Sequence, residues 1–147
     1  MIRLNLPRDP YWLPLPHGVR VQVRPIDTAI DAAAREMAVD QVRAEAKGLP
    51  RPVLFGRITQ ALATASGQLA ILAWEGVLPA EGEEPLPVTP ETVAQLMAIP
   101  ELAQAFSRQY FAPFARLIAE GEASGAVPGG TLGAAPDTAS IVPTTAG

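Results

Sequence analysis

The chain has 147 residues, 16 of them proline and 12 glycine, with 11 basic and 15 acidic side chains, no cysteine and one histidine. That length predicts one domain. The absence of cysteine excludes disulfide scaffolds, thiolate metal sites and cysteine nucleophiles, and one histidine excludes multi-histidine metal centres.

No apolar run approaches the ~18 residues of a membrane span. Arg3 and early prolines follow Met1, where a signal peptide would carry an apolar core. Charge is uneven: residues 1–60 hold nine basic and six acidic side chains, residues 61–147 two and nine. So thin a basic share is no phosphate-binding footprint, and no nucleic-acid partner is expected.

Proline cannot sit inside a helix without removing a hydrogen bond and clashing with the preceding turn, so the proline-free stretches 26–49 and 53–78 are where long helices are permitted. The first 25 residues read as strand. Ile2, Leu4 and Leu6 alternate with polar residues, as do Val19, Val21 and Val23. Pro16-His17-Gly18 is a turn signal, which predicts a hairpin joining 11–15 to 19–24. Pro14 confines its first strand to an edge.

Thr28 is the expected cap of a helix over 28–47, stopped by Gly48 and Pro50. Over 53–75, Leu54, Ile58, Leu62, Ala65, Leu69 and Leu72 recur at three- and four-residue spacing, which predicts the strongest helix with one apolar stripe. An acidic, proline-rich loop follows over 76–88. Thr89-Pro90-Glu91 is a helix start, and that short helix ends before Pro100. Pro100 opens a last helix carrying Phe106, Tyr110 and Phe114 on one face, with a kink expected at Pro113. From 125 onward the chain has no periodicity and one charge, Asp137, which predicts disorder. The reading is an α+β fold: an N-terminal β-hairpin or small antiparallel sheet (1–27) packed on about four α-helices (28–124) in one domain, then a disordered tail (125–147).

Signals for chemistry are weak. His17 lies in a turn with no cysteine to activate and no serine in a nucleophile-elbow sequence. The spacing of Glu81, Glu83 and Glu84 does not match a calcium loop. Gly129-Gly130-Thr131-Leu132-Gly133 lacks the lysine of a phosphate loop. No cofactor, metal or catalytic group is expected. Trp74, Phe106, Tyr110, Phe111 and Phe114 are the candidate partner-binding residues. Phe111 falls one residue off the stripe, so the apolar face is wide enough to meet another protein as well as a core.

The order of certain strings resembles a known family. Leu69-Ala-Ile-Leu-Ala-Trp74-Glu-Gly-Val runs into an acidic loop with Gly82, then Pro85, Pro87, Val88 and Thr89. Phe106, Tyr110 and Pro113 follow, then Glu120-Gly-Glu-Ala-Ser124 and a Pro-Gly-Gly-Thr tail. The N-terminal Leu-Pro-Arg-Asp-Pro-Tyr-Trp-Leu and His-Gly-Val-Arg-Val look like the hairpin of the same group. Over roughly residues 3–133 this resembles the tail assembly chaperones of tailed bacteriophages and prophages. It departs from the group at Gly121-Glu122 and at Pro128-Gly129-Gly130.

The resemblance implies a non-enzymatic protein in the cytoplasm of the bacterial host. Such a protein binds the tape-measure protein, helps recruit tail-tube subunits, and is absent from the finished virion. A homo-oligomer stays open. Other readings also stay open: a structural virion component such as a head–tail connector or minor tail protein, a small enzyme using His17 or a carboxylate, or a bacterial regulator.

Overall fold

A computed structural model describes residues 1–125, with side chains through Ala119. The expectation of a disordered tail falls outside the described residues, apart from its first residue, Gly125. The described chain divides into two compact units, Leu6–Phe111 and a second that includes Met1–Asn5 and Ala112–Gly125.

The larger unit is α+β. Strands β1 (Tyr11–Pro14), β2 (Arg20–Val23) and β3 (Ile71–Glu75) form one antiparallel sheet in the order β1-β2-β3. The hairpin predicted for 11–24 is present, with Tyr11 opposite Val23 and Pro14 opposite Arg20. Its turn is a single 3-10 turn, Pro16–Gly18, in which His17 (φ 64°) and Gly18 (φ 74°) both take left-handed backbone. The alternation at Ile2, Leu4 and Leu6 produces no strand; residues 1–8 carry no regular structure.

Helix α1 (Thr28–Arg43) is shorter than the 28–47 expected, and its cap is Asp27, not Thr28. The Asp27 carboxylate accepts from the backbone N–H of Ile30 at 2.8 Å, using one of the four donors a helix start leaves open. Helix α2 (Arg51–Ala70) follows Pro50 at its N-cap and stops five residues before the predicted end. The stripe that continued to Leu72 in the sequence is interrupted because Ile71–Glu75 pairs with β2. The backbone N–H of Arg24 takes the carbonyl of Ala70 at 2.9 Å, which ties the end of the helix to the end of β2.

Burial in α2 also differs from the stripe. The buried positions are small: Ala61, Ala63 through Gly67, and Ala70. Leu54, Leu62 and Leu69 are half-buried, while Ile58 and Leu72 are exposed. Against α1, the contact is Ala61 with Ala38 and Val42, edged by Ala46, Leu54 and Leu62. Small residues let helix backbones approach, and α2 packs against α1, α3 and α4.

Helix α3 (Pro90–Met97) begins as predicted. Thr89 and Thr92 form a reciprocal cap, each side chain accepting from the other's backbone N–H, at 3.1 and 2.9 Å. Helix α4 (Pro100–Tyr110) ends before Pro113, and α5 (Ala112–Gly125) starts anew. Among the described residues five α-helices therefore stand where about four were expected, because the chain breaks where a kink was predicted. Pro113 has no N–H to offer the carbonyl of Gln109, and the residue before a proline disfavours helical backbone. Placed in the first turn of a new helix, Pro113 loses nothing by lacking that donor.

The core joins the sheet to the helices through Val21, Val23, Val93, Met97, Phe106 and Tyr110, all essentially without solvent exposure.

Candidate functional site

The aromatic residues singled out in the sequence divide by position. Phe106 and Tyr110 stack at 5.2 Å and are fully buried. Phe111 meets the edge of Tyr110 at 5.6 Å and is half-buried. Trp74 is buried on β3. Phe114 lies in α5, in the smaller unit, and is half-buried. The structure thus corrects the expected partner surface. Trp74, Phe106 and Tyr110 are core residues, and of the aromatics named only Phe111 and Phe114 keep partial exposure.

The polar end of Trp74 accounts for part of this spacing. The indole N–H of Trp74 donates to the carbonyl of Leu86 at 2.7 Å, and the Leu86 N–H donates to Val77 at 3.0 Å. A buried indole needs such a partner, and the bond folds the acidic loop back onto β3. Two residues on, Gly76 has φ 85°, and a Cβ there would stand 2.6 Å from the carbonyl oxygen of Gly18. The Trp74-Glu75-Gly76 string is therefore architecture: an anchor for the loop, a salt-bridge partner and a close approach to the hairpin turn.

Glu75 accepts two hydrogen bonds from Arg20, both 2.8 Å, directly across the sheet. These bonds hold the Glu75 carboxyl below its ordinary pKa and Arg20 above its own. Arg20 also lies over the Trp12 ring, 4.4 Å from its centroid.

His17 Nε2 stands 2.9 Å from Glu101 Oε2, with both side chains largely in solvent. This pair pins the hairpin turn to the first turn of α4, and no serine shares a hydrogen bond with it among the described residues. Also among the described residues, no group of three or more His, Asp or Glu side chains is placed to hold a metal ion, and no helix is long and apolar enough to cross a membrane.

The surface that sequence reasoning missed lies on the first half of α2. Phe55 is 71% exposed, and Val53 and Ile58 are close to half exposed. Beside Phe55 runs a groove of about 590 Å³ whose walls include Phe55, Gly56 and Ala63 of α2 and Pro100, Ala103 and Ser107 of α4, with Met97 also in its lining. A signal was present. Val53, Leu54 and Phe55 are consecutive, and three successive helical residues spread over about 200° of the surface. One neighbour, α1, covers only the Leu54 side.

A second, more open concavity of about 1,100 Å³ lies between the Leu6–Pro10 segment and the start of α1, bordered by Arg8, Arg24, Asp27 and Leu72. Its carboxylate is the Asp27 cap already described.

Compared with protein-family models, curated proteins and solved structures, the chain matches none.

Proposed function

We propose that the protein is a non-enzymatic tail assembly chaperone of a tailed bacteriophage or prophage. On this reading it works in the host cytoplasm, holds the tape-measure protein in solution, and helps bring tail-tube subunits to it. The reading rests on the order of strings in the sequence, from Trp74-Glu75-Gly76 through Phe106, Tyr110 and Pro113.

One observation supports it most. Phe55 exposes a large apolar side chain on the wall of the groove between α2 and α4, away from the Leu54 side that packs on α1. An exposed aromatic beside a groove is the kind of surface that meets another protein, and amphipathic client helices lay their apolar side into such grooves. The net charge of −4 favours solubility of a loaded complex.

The experiment is co-expression with the tape-measure protein encoded in the same genome. The reading expects soluble tape-measure protein that elutes with the chain. Unchanged aggregation and no shared elution peak would contradict it.

A further inference from the structure

The groove between α2 and α4 carries an unexplained glycine. Gly56 is inside a helix, where glycine costs about 1 kcal/mol relative to alanine. Its backbone angle is not one that demands glycine, and nothing lies within 4 Å of where its Cβ would stand. Gly67 in the same helix is different: a Cβ there would meet the Val93 methyl at 3.0 Å. Packing accounts for Gly67 and leaves Gly56 without an internal reason. What Gly56 does provide is bare backbone in the wall of a mainly apolar groove, which Thr59, Gln60 and Gln104 also line, where a second backbone can come close.

The lining has a charge character. No carboxylate borders the groove, whereas Arg108 does, and Arg108 makes no ion pair among the described residues. A second copy docked groove to groove does not suit the site, since both faces are concave and each brings an Arg108 where the other needs an acid.

We infer that this groove seats an amphipathic helix of another protein. The face that enters is apolar and small-sided next to Gly56, with carboxylates flanking it within reach of Arg108, and Phe55 folds over the seated helix. The inference rests on the chaperone reading and says where the client is held.

The test uses the full chain and two synthetic peptides of about five helical turns. Both share one Leu/Ala face; one carries Glu on the flanks and the other Lys. Fluorescence anisotropy is expected to show the Glu peptide binding about tenfold tighter. Gly56→Leu, which adds bulk to open space, is expected to abolish that binding while the melting temperature holds. Arg108→Glu is expected to reverse the preference. Phe55→Ala, at an exposed position, is expected to weaken binding with no change in fold, which keeps the test decisive if Gly56→Leu misfolds.

Equal binding of the two peptides, no binding of either, or full binding by folded Gly56→Leu or Phe55→Ala overturns the inference. So does a dimer in sedimentation that Gly56→Leu converts to monomer, since a second copy would then be the occupant. The two readings separate cleanly. If wild type and Gly56→Leu hold the tape-measure protein alike, the chaperone reading stands and the groove is not its site. If wild type ignores the tape-measure protein yet binds the Glu peptide in the groove, the chaperone reading falls and the groove remains.

Discussion

The Tyr110 hydroxyl donates to the backbone carbonyl of Arg24 at 3.0 Å, across 86 positions of sequence. That bond ties the last turn of α4 to the segment leaving β2, beside the point where Arg24 also closes the end of α2. Burial, followed by the nearby Tyr11 and Asp27, pushes the Tyr110 pKa above its ordinary value of 10.0. The folded state therefore prefers the neutral phenol. Its contribution is complete below the unfolded value and is lost as pH rises beyond it. Denaturant titrations should show stability falling above about pH 10. Tyr110→Phe should flatten that fall and cost about 1 kcal/mol at neutral pH, because the Arg24 carbonyl loses its donor.

Arg20 and Glu75 give the opposite limb. The pair lowers the Glu75 pKa, so its contribution is present above the ordinary carboxylate range and is lost as pH falls through the folded value. Glu75→Gln should remove part of the acid sensitivity seen in a thermal melt series from neutral pH downward. High salt should shrink the difference, since both groups are largely in solvent.

Gly76 tests the hairpin contact. Alanine there meets left-handed backbone and the Gly18 carbonyl together. Gly76→Ala should destabilise by about 2 kcal/mol or more, read as a shift in the urea midpoint.

The two glycines of α2 should respond with opposite sign. Gly56→Ala enters open space and should stabilise by up to about 1 kcal/mol. Gly67→Ala gains the same helix propensity but drives a Cβ against Val93, which is buried and β-branched and has little room to give. Calorimetry on both variants should place Gly56→Ala above wild type and Gly67→Ala below it.

Local chemistry made parts of this fold legible. Pro16-His17-Gly18 and the flanking alternation marked the hairpin, and Thr89-Pro90 marked the start of α3, because turns and caps are decided by a few adjacent residues. Strand β3 was hidden. Leu69 and Leu72 prolong the helical spacing of α2, and only pairing with β2, nearly fifty residues earlier in the chain, turns Ile71–Glu75 into a strand.

The site misled for a related reason. Trp74, Phe106 and Tyr110 are large and regularly spaced, which suits a core as well as a binding face, and the fold buries them. Phe55 drew no notice because its stripe appeared complete without it. Its exposure depends on where α4 lies, which no local pattern states.

Purified virions offer a further check on the proposed role. A chaperone should be absent or present only in trace amounts by mass spectrometry of the particles, whereas a connector or minor tail protein would appear in fixed proportion to its neighbours.

The most direct measurement is the state of the tape-measure protein when it is expressed with and without this chain. The account predicts that the chain moves it from the pellet to the soluble fraction and that the two elute together by size exclusion. A tape-measure protein equally insoluble in both cells, with the chain eluting alone, would contradict it.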